Sequence, residues 1–282
     1  MNFSVLEKFI LGKKNDVHIC EDAIFTNDNF AAVIDGATSK SSIQIEGKST
    51  GKLASELICE GLSLLPKSIQ MKDAVNIISN QIYQFYQKSN LDVHMRENPQ
   101  DRLTGCAAIY SHFRNEVWVI GDCQCIIGKT RYYNKKIIDT IIANTRSLFL
   151  EAELLKGTTV SSLLTKDIGR EYILPLLKSQ TKFQNSLGEL SEYSYTVFDG
   201  FDIDINDIKV IKVFDDIVIL ATDGYPKIFR TLKASESYLK NIISNDPLCI
   251  KLFKSTKGIY VGNISYDDRS YLKLKINFKS LY

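Results

Sequence analysis

Charge of either sign is nearly balanced in this chain. Its 282 residues carry 35 Lys and Arg against 33 Asp and Glu, a net of +2. No long basic block interrupts them, so nothing in the composition points to nucleic acid or an anionic membrane surface. No stretch approaches the ~20 apolar residues that span a bilayer. The first eleven residues place Glu7 and Lys8 inside a short apolar pattern and lack the basic leader and long apolar region of a signal peptide, so a cytoplasmic protein is expected. The six cysteines, Cys20, Cys59, Cys106, Cys123, Cys125 and Cys249, show neither CxxC nor Cys/His zinc spacing, and reduced thiols are the default. The aromatics are dispersed, which offers no base-stacking platform. Repeats, low-complexity tracts and Pro/Gly/Ser linkers are absent. With 44% hydrophobic residues over this length, the expectation is a single domain spanning 1–282 of class α+β.

What the chain does have is a recurring device. Phe30-Ala31-Ala32-Val33-Ile34-Asp35-Gly36 is an apolar run of small and β-branched residues that stops at Asp-Gly, as a buried strand delivering a carboxylate to the sheet edge would. Asp216 to Gly224 repeats it with Asp223-Gly224, and Val117 to Asp122 ends in an acid. Asp267-Asp268 stands at the start, not the end, of the alternating strand Tyr271–Phe278. One Asp-Gly is explained by a tight turn; four such clusters suggest one metal site.

Read in order, residues 18–36 form a hairpin about the turn Thr26-Asn27-Asp28-Asn29, which places Glu21 and Asp22 on a strand beside Asp35. Apolar residues at three and four predict helices over 50–65 and 73–87. Residues 88–102 read as a polar loop. Residues 103–110, 116–120 and 123–128 read as a strand meander, with a further strand over 135–140. Helical character fills 145–177, broken near Gly157, with Pro175 in or at the end of its last turn. Strands return at 193–198, 208–214 and 217–221, then a helix over 232–243 and the final strand.

Aspartates and carbonyls are hard oxygen ligands suited to Mg²⁺ or Mn²⁺. Two such ions about 3.5–4 Å apart can activate a water for in-line attack on a phosphoester, so no protein nucleophile is needed. The ordered set Glu21-Asp22, Val33-Ile34-Asp35-Gly36, Thr104-Gly105-Cys106-Ala107-Ala108, Ile120-Gly121-Asp122, Ala221-Thr222-Asp223-Gly224 and Asp267-Asp268-Arg269-Ser270 resembles the metal-dependent serine/threonine protein phosphatases of the type 2C family, as a divergent, bacterial-like member, over residues 12–278. That resemblance implies a four-layer α/β/β/α sandwich, two antiparallel sheets flanked by helix pairs, with a two-metal site at one edge. It implies hydrolysis of phosphoserine and phosphothreonine esters in proteins, the substrate being a signalling partner of a Ser/Thr kinase. Asp35 would bridge the two Mn²⁺ or Mg²⁺ ions, the Gly36 carbonyl would ligate one, and Asp223 and Asp267 would hold the other. Glu21 and Asp22 would orient waters, and Asp122 matches an acid that helps hold a third ion in some members.

The sequence departs from that pattern in several places. Val17 stands where members commonly have a basic residue that grips the phosphate, so either His18 or Lys14 substitutes or substrate affinity is low; Ala37 follows Asp35-Gly36 where some members have His, leaving water or His18 to protonate the leaving group. No acid follows near Lys227, which argues against a third ion, and Cys123-Gln124 replaces Ser-Arg. Val17 and the missing acid near Lys227 sustain an alternative, a catalytically weak or inactive binding or regulatory module of the same fold. Residues 145–200 resemble the family only loosely and suggest a substrate-selecting flap. Cys125 and Arg131 have the Cys-x5-Arg spacing of thiol phosphatases, but the residues between read as strand and turn. Gly47-Lys48-Ser49-Thr50 lacks the first glycine of a P-loop, which would be Ser42. Cys123 and Cys125 share a strand face as core packing.

Overall fold

The strand Phe30–Ala37 is apolar on both sides because both sides are covered. Ala31 and Val33 enter one core, and Phe30, Ala32 and Ile34 enter another. In the computed structural model, which describes residues 2–37, 40, 43–186 and 191–277, twelve strands and seven helices follow in order: β1 (Phe3–Leu11), β2 (Ala23–Thr26), β3 (Phe30–Ala37), β4 (Gln44–Ile45), β5 (Lys48–Ser49), α1 (Thr50–Ser63), α2 (Met71–Lys88), α3 (Asp92–Glu97), β6 (Thr104–Ser111), β7 (Glu116–Ile120), β8 (Gln124–Ile127), β9 (Thr130–Tyr133), α4 (Ile137–Leu155), α5 (Val160–Thr165), α6 (Ile168–Ser179), β10 (Lys209–Lys212), β11 (Ile217–Ala221), α7 (Leu232–Asn245) and β12 (Arg269–Ile276).

One antiparallel sheet runs β10-β7-β6-β3-β2 and the other β1-β12-β11-β8-β9. Their facing sides hold Val33, Ala108, Val119, Cys125, Leu220 and Leu272. Helices α1 and α2 cover the outer face of the first sheet through Leu53, Ile58, Ile78 and Ile82. Each such side chain taken from water contributes roughly 1.5–3 kcal/mol before the entropy of ordering is subtracted. Helix α7 covers the second sheet with Leu239 against Ile219 and Tyr271. This is the α/β/β/α sandwich that the resemblance implies.

The second flank differs from a helix pair. Among the described residues α7, the loop with Tyr225 and Ile228, and the segment around Cys249 and Tyr266 cover that face. Helices α4 and α6 instead close the core between the sheets with Ile138, Ile142, Ile173 and Leu177.

The structure corrects the sequence reading elsewhere too. Residues 104–127 are not a meander, because β7 lies in one sheet and β8 in the other. The chain crosses at Gly121, whose φ of +74° and the Cys106 sulfur, 2.2 Å from where a Cβ would sit, admit only glycine. Residues 18–22 precede β2 instead of pairing in it, and residues 88–102 hold α3 and a 3₁₀ turn at Pro99–Asp101. Residues 137–140 begin α4, and 193–198 make only isolated bridges, Gln184 with Tyr195 and Gly105 with Phe198. Pro175 sits inside α6. The helices over 50–65, 73–87 and 232–243 form as expected, while β1 pairs along β12 in a stretch read only as a short apolar pattern. Phe278 and Ser42 lie outside the described residues.

Candidate active site

Each acid reaches the site by a strand end. Asp35, near the end of β3, is registered opposite Cys106 of β6. Asp223 follows β11, Asp122 occupies the turn where the chain changes sheets, and Asp267 precedes β12. The edge between the two sheets therefore collects carboxylates from both. Oxygens of Asp35, Asp122 and Asp223 lie within 4.8 Å of one another. They share a cleft of about 320 Å³ with Asp267, Glu21 and Gly36.

The surroundings fix these groups. Asn134 donates Nδ2 to the Gly121 carbonyl at 2.6 Å, steadying the turn that carries Asp122. Tyr266 donates Oη to the Asp223 carbonyl at 3.1 Å. Asp22 is buried and accepts from Thr222 Oγ1 at 2.7 Å, one residue before Asp223. Glu21 accepts from Ser49 Oγ at 2.6 Å, and Ser49 is also the N-cap of α1. Asp268 accepts the backbone amides of Lys13 and Glu21, each at 2.8 Å. Gly36 is required by contact: a Cβ there would lie 2.1 Å from the Gly51 carbonyl oxygen at the start of α1.

The cluster is electrostatically unfinished. Burial, then the charges of Asp22, Asp122 and Asp267, push the Asp35 carboxyl well above the usual carboxylate range. Burial and the charges of Asp35, Asp122 and Asp267 do the same to Asp223. Half-buried carboxylates this close repel one another unless a proton or a cation intervenes. All-oxygen donors on strand ends fit hard divalent cations, so the residues present suit Mg²⁺ or Mn²⁺. Asp267 behaves differently. Burial raises it, but the ion pairs with Lys257 and with Lys13 Nζ at 3.8 Å outweigh burial and hold it below its ordinary value.

No family model and no curated protein matches the chain. Among solved structures it is similar to a bacterial serine phosphatase at 14% identity, with 99% of this chain and 100% of that one covered and a TM-score of 0.48. It is similar to the Mycobacterium tuberculosis serine/threonine phosphatase PstP/Ppp at 12% identity, covering 98% and 100%, with a TM-score of 0.45. It is also similar to the serine/threonine phosphatase Stp1 from Staphylococcus aureus at 14% identity, covering 98% and 96%, with a TM-score of 0.47. At such values no residue's role is carried over from them.

Cations line the same cleft: Lys13, Lys40, Arg102, Lys136, Arg170 and Lys257. Lys13 lies 3.7 Å from Glu21 and 3.6 Å from Asp268. Lys136 stands 3.1 Å from Asp139 and 3.9 Å from the Tyr195 ring centroid. Arg170 donates to the Thr256 carbonyl at 2.9 Å. Burial, then the charges of Arg170, Lys257 and Lys136, lowers the Lys40 amine to about 7.

Neither residue expected to replace Val17 is there. His18 lies in an exposed turn and Lys14 is exposed, both outside the cleft lining. Lys13 is the cation that arrives. A sequence signal existed, since Gly12-Lys13 ends the strand β1 much as Asp35-Gly36 ends β3. The segment 145–200 supplies a wall of the cleft through Arg170, Leu177, Gln180, Thr181 and Gln184. Cys125 is buried between the sheets, where burial pushes its thiol up to about 12. Arg131 lies across the β8–β9 hairpin and donates to Gln124 Oε1 at 3.0 Å. The Cys-x5-Arg spacing thus spans a two-strand turn and cradles no phosphate.

Proposed function

We propose that this chain, as one phosphatase-like domain, hydrolyses phosphoserine and phosphothreonine esters in proteins with two Mn²⁺ or Mg²⁺ ions. The observation that carries this reading is the convergence of Asp35, Asp122 and Asp223 within 4.8 Å in a cleft rimmed by lysines and arginines. Asp35, Asp223, Asp267 and the Gly36 carbonyl would hold the ions, with Asp122 beside them. Bound there, such ions supply Lewis acidity toward a phosphoryl oxygen and activate water for in-line displacement. Glu21 and Asp22, held by Ser49 and Thr222, orient water about that centre. Lys13, Arg170 and Lys257 attract and position the dianionic phosphoester. Lys40, with its lowered basicity, is suited to give a proton to the leaving alkoxide in place of His18.

The natural substrate would be a phosphoprotein made by a Ser/Thr kinase. Among the described residues no helix is long and apolar enough to cross a membrane. A second reading, a binding or regulatory module, is favoured by Lys257 and Lys13 already neutralising Asp267.

The test is hydrolysis of para-nitrophenyl phosphate and a phosphothreonine peptide with Mn²⁺, with Mg²⁺, with chelator and with a thiol alkylator. Activity that needs metal, resists alkylation and vanishes in Asp35→Asn is expected. A folded, metal-supplied protein without turnover would leave the binding module as the better reading.

A further inference from the structure

A second concavity opens from the wall of the acidic cleft. It runs between α2 and the segments 181–185 and 200–205, encloses about 1150 Å³, and shares Pro99, Arg102, Thr181 and Gln184 with the cleft. The junction is held firmly. Arg102 donates Nε to the Met95 carbonyl at 2.8 Å and Nη1 to the buried Asp199 carboxylate at 2.9 Å. Gln184 donates Nε2 to the same carboxylate at 2.7 Å.

The groove is cationic in an uncommitted way. Lys72, Arg96 and Lys182 line it against a single carboxylate, Asp202. Among the described residues no carboxylate pairs with any of these three cations. In the acidic cleft, by contrast, Lys13, Lys136 and Lys257 each have an acid partner, and Arg102 has Asp199. Phe201 carries two guanidinium groups, with Arg102 4.1 Å and Arg96 5.1 Å from its ring centroid. Stacking uses the face of Arg96 and orders it at little entropic cost, while its N–H fork remains suited to a carboxylate.

A small phosphoester has no use for such a surface, whereas a phosphorylated protein segment does. Resting on the phosphoprotein reading above, we infer that the groove binds the acidic flank of the substrate. This is an extended segment whose carboxylates, a few residues from the phosphorylated side chain, meet Lys72, Arg96 and Lys182. The phosphate enters the acidic cleft and the flank leaves past Arg102.

The test uses fluorescent peptides bearing a non-cleavable phosphonate analogue of phosphothreonine, with Glu-rich or neutral flanks on either side, and reads binding by anisotropy. Exposed charge pairs are individually weak, so three of them should favour one Glu-flanked peptide by about tenfold at low salt. Arg96→Ala combined with Lys182→Ala should erase that preference and leave para-nitrophenyl phosphate hydrolysis unchanged. With cleavable peptides the loss should fall on KM and not on kcat. Equal binding of both flanks, or a preference that survives the double variant, overturns the inference. So does displacement of the Glu-flanked peptide by a single-stranded oligonucleotide at lower concentration than by its own unlabelled form. If no metal supports para-nitrophenyl phosphate hydrolysis, the phosphatase reading fails, while the anisotropy comparison still decides the groove.

Discussion

Lys257 is ion-paired with Asp267 at the wall of the cleft, so a cation already stands where a divalent ion held by Asp267 would bind. Metal binding at that end must displace the ammonium, which is then available to a phosphate oxygen. Lys257→Met should therefore tighten the weaker of two Mn²⁺ sites several-fold in calorimetric titration. The same variant should raise KM for para-nitrophenyl phosphate. Because the lysine side chain is 29% exposed, the pair contributes only about 0.2–1 kcal/mol. A second site unchanged in Lys257→Met would show that the lysine is a bystander.

In the metal-free protein the charges of Asp35, Asp122 and Asp267 bear on Asp223, and neutralising Asp35 relieves part of that repulsion. Asp35→Asn should melt at a higher temperature than the parent in chelator, and gain less on adding Mn²⁺. Its turnover should fall by more than the ~100-fold that loss of an outer partner of a metal ligand costs. Calorimetry with and without chelator checks both halves.

The same carboxyls set a pH dependence. Burial and neighbouring charges raise Asp22, Asp35 and Asp223 in the folded chain. A raised carboxyl holds its proton more tightly folded than unfolded, so its stabilisation is full below the ordinary carboxylate value, about 4, and is lost as pH rises through the folded value. Chelated protein should thus lose stability on going from weakly acidic to neutral pH. Saturating Mn²⁺ should reverse the slope, because it binds the ionised forms. Urea midpoints across pH, with and without metal, read the sign directly.

Gly51 permits α1 to seat against β3. A Cβ there would lie 2.6 Å from the Gly36 carbonyl oxygen and 2.8 Å from Glu21 Oε1. Gly51→Ala should cost about 1–3 kcal/mol through overpacking and weaken metal binding by displacing both oxygens. Gly47→Ala is the control. It has a φ of +72° and nothing within 4 Å, so it should cost about 1–2 kcal/mol of backbone strain with metal affinity kept.

The acids were legible because each is announced by the strand that carries it: Val33-Ile34-Asp35 and Leu220-Ala221-Thr222-Asp223 are local patterns with a local cause. The crossing at Gly121 was not, since Gly-Asp marks a hairpin turn and a change of sheet alike, and only the Cys106 contact distinguishes them. Residues 135–140 carry the β-branched pair Ile137-Ile138 and suggest a strand. From Ile137 they enter α4 instead, because Ile138 and Ile142, four apart, bury together in the core. Lys257 and Arg170 left no trace at all. Both lie in segments without a site motif and reach the cleft through tertiary contacts.

Those contacts converge on Arg146, which is fully buried in α4. Its Nη2 reaches Asp167 Oδ2 at 2.6 Å, and its Nη1 donates to the carbonyls of Leu248 at 2.8 Å and Ser255 at 3.2 Å. Asp167 caps α6 through the Arg170 amide at 2.8 Å. One clamp therefore ties α6, with Arg170, to the loop that bears Lys257. Arg146→Met leaves a buried carboxylate without its charge partner and should cost about 3–5 kcal/mol in urea unfolding. Adding Asp167→Asn should recover part of that loss, because the amide side chain carries no charge and can still cap the helix. In Arg146→Met, assayed where it remains folded, KM for para-nitrophenyl phosphate should rise more than kcat falls. The acids stand on strands that the clamp does not touch, whereas the cations proposed to receive the phosphate stand on the segments it joins.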